Sequence, residues 1–183
     1  MPLPVAHALL GASVVAALAP RKTVGRGRVL LVGALLGVCP DFDYLINWVG
    51  LFGRGWHHDF THSFAFTFLI GLAAAYVFSG DLRPPSVAAY WLPALSHPLA
   101  DFLMTESRGV ELFWPLSDRR FRFGGPSLLD YTWANDSWRA TALDLLRISL
   151  TEVVLFAPLL AAVLLARAVG RGGARPPRTE RNA

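Results

Sequence analysis

The chain of 183 residues is poor in cysteine and in charge. Cys39 stands alone, which excludes an internal disulfide and a cysteine-based zinc site. Charged residues make up 16% of the chain and hydrophobic residues 54%, with a mean hydropathy of +0.42. Soluble domains contain about 45–50% apolar residues, so the composition predicts a membrane protein. The pI near 9.8 is not accompanied by a nucleic-acid-binding motif, and we expect no nucleic-acid partner.

Apolar stretches occur at residues 3–19, 29–52, 64–79, 87–104 and 148–166. A bilayer core is crossed by about 20 apolar residues, and each stretch comes near that length. The first stretch lacks the basic segment that opens a secretory signal, so we interpret it as a retained helix. The sequence therefore predicts an all-α, polytopic membrane helix bundle with about five transmembrane helices.

Basic residues set the predicted orientation. The loop after the first stretch contains Arg21, Lys22, Arg26 and Arg28 without an acid, and the tail 170–183 is rich in arginine. Because basic loops stay in the cytoplasm, the N-terminus is expected outside and the C-terminus inside. We expect a membrane-embedded domain over residues 1–169 and a disordered tail over 170–183. Residues 105–147 then form an aromatic-rich interfacial segment outside the cytoplasm.

Ionisable side chains within membrane spans are costly, and they mark functional sites by default. Here the predicted orientation places nearly all of them near the outer face. His97 and Asp101 are four residues apart and share one face of a helix. Asp41 and Asp43 follow Pro40, where a helix is expected to break. Asp59 or Thr61 is expected to cap the helix that begins near residue 64, and Asp136 or Ser137 is expected to cap the helix that continues into the fifth stretch.

Imidazole nitrogens and carboxylate oxygens are ligands for zinc, manganese and iron. The predicted ligands are His7, Asp41, Asp43, His57, His62, His97 and Asp101. Seven candidates exceed the need of one tetrahedral ion, so we expect one or two divalent ions, with zinc first and manganese or iron as alternatives. Four of these residues, Asp41, Asp43, His62 and Asp101, are the predicted catalytic residues, with one Asp acting as a base toward water. The predicted substrate contacts are His58, Arg119 and Arg120, and Glu152 is given no role.

Five short blocks follow one another along the sequence. They are "HALLG" at 7–11, "PDFD" at 40–43, "HHDFTHS" at 57–63, "HPLAD" at 97–101 and "FWPLSDRRF" at 113–121. In this order the chain resembles a family of bacterial inner-membrane proteins described as LexA-binding, metal-dependent hydrolases. The resemblance implies a bacterial inner-membrane location and a hydrolase of the phosphoesterase or phospholipase type. The third block departs from the family pattern, because His58 and Asp59 occupy the places of an Arg-Gly pair.

The functional prediction is a membrane-bound, metal-dependent hydrolase. It would cleave an ester or phosphoester of a lipid-like substrate at the outer face of the membrane, with membrane lipid as its partner. The first alternative is a transporter for metal ions or protons, which the scarcity of polar residues in the cytoplasmic halves of the spans disfavours. The second is a non-catalytic scaffold whose metal ties helices together. Protein partners are not predicted.

Overall fold

The computed structural model describes residues 4–18, 26–44, 57–104, 108–123 and 137–172. Within these ranges the chain is helical apart from loops and one isolated β-bridge, which confirms the expected all-α class. The helices are α1 (Pro4–Leu18), α2 (Arg26–Val38), α3 (Phe64–Ser79), α4 (Pro84–Met104) and α5 (Trp138–Gly172). Short 3₁₀ turns occupy Cys39–Phe42 and Phe60–His62.

The second apolar stretch is not one continuous helix. Helix α2 ends at Val38, and the 3₁₀ turn Cys39–Phe42 follows it, with Pro40 near its start. Proline has no backbone N–H to donate, so the α-helical pattern ends here as the sequence predicted. Asp41 consequently lies on a tight turn. Residues 45–52 of the predicted span lie outside the described residues.

Helices α1 and α2 pack antiparallel at very short range through glycines. A Cβ atom at Gly37 would lie 2.2 Å from the carbonyl oxygen of His7. A Cβ atom at Gly11 would lie 2.2 Å from the carbonyl oxygen of Gly33. Only glycine permits this approach, and small residues on facing helices are a common device of membrane helix pairs. The pairing fixes the start of α1 against the end of α2.

Helix caps give one correction and one confirmation. We expected Asp59 or Thr61 to cap α3, but Ser63 is the cap, and its side chain accepts the amide of Phe66 at 3.0 Å. The 3₁₀ turn over Phe60–His62 delays the start of the α-helix by a few residues. Of the two expected caps of α5, Ser137 is confirmed, because its Oγ accepts the amide of Ala140 at 3.2 Å, and Asp136 lies outside the described residues.

Within the described residues, one helix is long and apolar enough to cross a membrane. This is the part of α5 over Trp138–Val169, which has 32 residues. An apolar segment of 18 residues within it has a mean hydropathy of 2.3, and 11% of that segment is buried. Helices α1 and α3 are apolar but have only 15 and 16 residues. The count of five spans therefore stays a prediction.

Residues 108–123, which we call the strap, cross over the turn that precedes α3. Val110 and Phe121 pair in an antiparallel bridge. The amide of Glu111 donates to the carbonyl of His58 at 3.1 Å, and the amide of Phe64 donates to the carbonyl of Leu112 at 2.9 Å. The predicted interfacial segment 105–147 is thus divided, since its last ten residues belong to α5. Residues 124–136 lie outside the described residues.

Candidate metal centre

All five histidines of the chain and three aspartates meet at one end of the helix bundle. His7 lies near the start of α1, whereas Asp41 and Asp43 follow the end of α2. His97 and Asp101 lie in the last two turns of α4, and the other histidines lie just before α3. Because successive helices run in alternate directions, these positions converge at one level. The structure brings all seven predicted ligands together.

The centre of the cluster is formed by His62, His97, Asp41 and Asp101. His97 Nε2 lies 3.2 Å from Asp101 Oδ2 and 3.3 Å from Asp41 Oδ1. His62 Nε2 lies 3.5 Å and 3.7 Å from the same two oxygen atoms. The Nε2 atoms of the two histidines are 3.0 Å apart. These four side chains are at most 8% exposed, so water does not screen their charges.

A hydrogen bond on the far side of the His97 ring determines where its lone pair points. His97 Nδ1 donates to the carbonyl oxygen of Gly37 at 2.7 Å, because a carbonyl can only accept. In neutral His97 the Nε2 atom therefore carries a lone pair. It faces His62 Nε2 at 3.0 Å, so the two nitrogen atoms can share a proton or bind the same cation.

The balance of charge also favours a cation within the cluster. Asp41, Asp43 and Asp101 are buried, and within the described part of the chain no lysine or arginine forms an ion pair with them. Buried carboxylates are strongly destabilising unless a cation or hydrogen bonds compensate them. Both oxygens of Asp101 and the Nε2 atom of His58 have no hydrogen-bond partner among the described residues. The cluster is thus acceptor-rich and short of positive charge.

The spacing of the acceptor atoms fits a metal ion. Ligand atoms that lie about 2.0–2.1 Å from one tetrahedral zinc ion are about 3.3–3.4 Å apart. Five of the six separations among the four atoms of the central group run from 3.0 to 3.7 Å. Four overlapping triads have all their candidate ligand atoms within 4.8 Å of one another. The triads are His57–His58–His62, His7–His97–Asp101, Asp41–His62–His97 and Asp41–Asp43–His57.

His7 and His57 lie beside the central group and contact different aspartates. His7 Nε2 lies 3.5 Å from Asp101 Oδ1, and its ring stacks on His97 with centroids 3.6 Å apart. His57 Nδ1 lies 3.1 Å from Asp43 Oδ1. The side chain of His57 is 18% exposed, whereas that of His7 is 1% exposed. The His57 side is therefore the open side of the centre.

His58, which we predicted only as a substrate contact, belongs to the cluster itself. Its Nε2 lies 3.7 Å from Asp101 Oδ2, and its side chain is 4% exposed. The backbone of His58 has φ of 69°, a left-handed conformation that few residues other than glycine adopt. Burial lowers the pKa of His58 to about 3, so the ring is neutral near pH 7 and can serve as a ligand.

The structure places the two predicted arginines away from the cluster. Arg120 pairs with Asp59 and, at 3.2 Å, with Glu111. The guanidinium of Arg119 lies over the ring of Phe121, 5.6 Å from its centroid. Arg120 therefore ties the strap to the turn that carries His58, and its charge is already balanced by two carboxylates.

Glu152 of α5 is a buried carboxylate to which the sequence analysis assigned no role. Its Oε2 accepts the amide of Ala6 at 3.1 Å, and the residue is 0% exposed. An N–H group in the first turn of a helix has no partner within the helix, and a carboxylate there is stabilising. This bond joins α5 to α1 beside His7. A single acid within an apolar stretch was the signal in the sequence that could have indicated the contact.

Comparison with known proteins places the chain in a family. The family model of the YdjM inner membrane protein matches residues 1–174, so the chain belongs to that family. Inner membrane protein YbcI of Escherichia coli (strain K12) is 34% identical over 103 residues, covering 51% of this chain and 57% of YbcI. The chain thus matches little more than half the length of this relative, and no solved structure matches it. The expected membership of an inner-membrane protein family is confirmed, whereas hydrolysis stays a prediction.

Proposed function

We propose that this member of the YdjM inner membrane protein family is a metal-dependent hydrolase of an ester or phosphoester in a lipid-like molecule. One observation carries the proposal. Two histidine Nε2 atoms, both turned inward, lie 3.0 Å apart between two buried carboxylates without a basic partner in the described chain. Such a donor set suits zinc, manganese or iron. We propose a multi-pass protein of about five spans in the bacterial inner membrane, with its N-terminus outside and its C-terminus inside.

A divalent ion held here would lower the pKa of a bound water to about 7 and polarise the ester or phosphoryl oxygen. His62, His97, Asp41 and Asp101 are the residues placed to hold it. Structural metal sites are closed by four protein ligands. Here the chain supplies further candidate ligands, which supports catalysis over a metal-stabilised scaffold.

The position of the centre supports a membrane-resident substrate. The cluster lies at one end of an apolar bundle, and its open side is next to the strap. Phe113 and Trp114 of the strap are 45% and 41% exposed, and Leu116 is 91% exposed. Aromatic side chains favour the interface between lipid and water. A lipid headgroup at that level would meet the cluster from the side of His57.

Two measurements test the proposal in sequence. The first is the metal content of the detergent-purified protein by elemental mass spectrometry, for the wild type, His62→Ala and Asp101→Ala. Asp81→Asn is the matched control, because Asp81 pairs with Arg83 in a loop outside the cluster. We expect one or two equivalents in the wild type and the control, and fewer in both cluster variants. A wild type that takes up no zinc, manganese or iron would refute the proposal.

The second measurement is turnover of a chromogenic phosphodiester, a chromogenic carboxylic ester and vesicles of phosphatidylglycerol and phosphatidylethanolamine. We expect turnover of at least one of these, loss of turnover with a chelator and recovery when metal is returned. Stoichiometric metal without turnover on all three would support the scaffold alternative instead.

A further inference from the structure

Asp43 differs from the other two aspartates of the cluster in what surrounds it. Its Oδ2 accepts the hydroxyl of Thr61 at 3.0 Å, and its Oδ1 accepts His57 Nδ1 at 3.1 Å. By contrast, neither oxygen of Asp101 has a hydrogen-bond partner among the described residues. Asp43 is thus hydrogen-bonded to donors of the protein, whereas Asp101 has histidine nitrogen atoms within 3.2–3.7 Å but no hydrogen bond among the described residues.

The hydroxyl of Thr61 extends this arrangement to His62. Thr61 Oγ1 lies 2.9 Å from His62 Nδ1. A hydroxyl has one proton to give, and that proton is donated to Asp43. The same oxygen therefore accepts the Nδ1 proton of His62. As a result, His62 presents the lone pair of Nε2 to His97 and Asp101.

His57 is oriented in the same way by the same carboxylate. Its Nδ1 donates to Asp43, so its Nε2 carries the lone pair, and this buried atom has no hydrogen-bond partner among the described residues. Metal-binding histidines almost always donate their second ring N–H to a carboxylate or a backbone carbonyl, which fixes the ring and its tautomer. The Gly37 carbonyl accepts this N–H from His97. Asp43 accepts it directly from His57, and it orients His62 through the hydroxyl of Thr61.

We infer that Asp43 and Thr61 are positioning residues that hold His57 and His62 with their Nε2 atoms toward the metal, and that Asp43 is not itself a ligand. This refines the predicted ligand set, and it rests on the proposed metal centre. Removal of an orienting partner typically weakens metal binding by about 10–100-fold without removing the site.

The test separates orienting residues from ligands in the full-length protein. Zinc affinity is measured by chelator competition, and the environment of the ion is followed by the visible spectrum of the Co²⁺-loaded protein. We expect Asp43→Asn and Thr61→Val to keep the zinc equivalents of the wild type at saturation, with a dissociation constant raised about 10–100-fold. Their Co²⁺ band positions should not change. Asp101→Asn should lose an equivalent or shift the Co²⁺ bands.

Two further variants control for packing. Thr61→Ser restores the hydroxyl and should return the affinity to near the wild-type value. Thr67→Val removes another buried hydroxyl, one that donates to the backbone carbonyls of Ser63 and Phe64, and it should leave zinc binding unchanged. Loss of a zinc equivalent or shifted Co²⁺ bands in Asp43→Asn would overturn the inference, and so would a Thr61→Val variant with wild-type affinity.

A readout that needs no metal distinguishes failure of this inference from failure of the proposed function. Nitrogen-15 chemical shifts of the histidine rings in the metal-free protein report which nitrogen carries the proton. We expect the Nδ1–H form for both His57 and His62, with only His62 altered in Thr61→Val. The Nε2–H form in the wild-type protein would overturn the inference even if metal binds. The expected tautomers in a protein that takes up no metal would refute the metal centre while sustaining the hydrogen-bond arrangement.

Discussion

The methyl group of an alanine at Gly37 would force helices α1 and α2 apart beneath the metal centre. The added Cβ would lie 2.2 Å from the carbonyl oxygen of His7, whereas ordinary contacts begin at 3.4 Å, so the backbones have to separate by about 1 Å. Overpacking of this kind costs about 1–3 kcal/mol. For a chain of this size the apparent melting temperature should fall by roughly 2–12 °C.

The same displacement should weaken metal binding. Gly37 carries the carbonyl that accepts His97 Nδ1, and the stacked His7 ring belongs to the helix that is pushed away. Zinc affinity of Gly37→Ala should therefore fall together with its melting temperature, measured in detergent with and without added zinc. Gly27 of the same helix is the matched control, because a Cβ there meets nothing within 4 Å.

Gly27→Ala should be neutral or stabilising by up to about 1 kcal/mol, since alanine has the higher helix propensity. The opposite signs expected for one substitution at two positions of one helix make the test specific. If Gly37→Ala had the same melting temperature as Gly27→Ala and retained the zinc affinity of the wild type, the reasoning from close helix packing would be refuted.

Two further predictions concern the turn before α3 and the strap. Ser63→Ala should lower the stability of the protein by about 1 kcal/mol through loss of the helix cap, which thermal unfolding would show as a small drop in melting temperature, whereas an unchanged value would argue against the cap. Arg120→Ala should leave Asp59 and Glu111 without their cation and increase hydrogen exchange of the Glu111 amide, whereas Arg119→Ala should not. Equal exchange in the two variants would contradict the ion-pair role of Arg120.

Much of the cluster could be predicted from the sequence because its determinants are local or periodic. The four-residue spacing of His97 and Asp101 defines one helix face, and Pro40 marks where α2 has to end. The basic loops give each apolar stretch a direction, which predicts that distant histidines lie at one level. These inferences need no knowledge of which side chains touch.

What could not be predicted depends on contacts between distant parts of the chain. His58 joins the cluster through a left-handed turn held by the strap, whose amide at Glu111 comes from 53 residues further along. The row of arginines in the strap suggested an anion site, but Arg120 is neutralised by acids that only the fold brings near it. The orienting role of Thr61 depends on which groups surround its hydroxyl, and sequence spacing does not reveal this.

The alternating direction of the helices has a consequence for biogenesis. The histidines and aspartates of the cluster lie between residues 7 and 101, so they belong to segments that the ribosome synthesises one after another. The first helix brings one of them, and the set is complete only when α4 lies beside α1. Loading of the proposed ion would therefore be a late step in maturation, after α4 has been synthesised and has packed against α1. A nascent chain arrested before that point would expose several chelating side chains without the geometry to retain an ion.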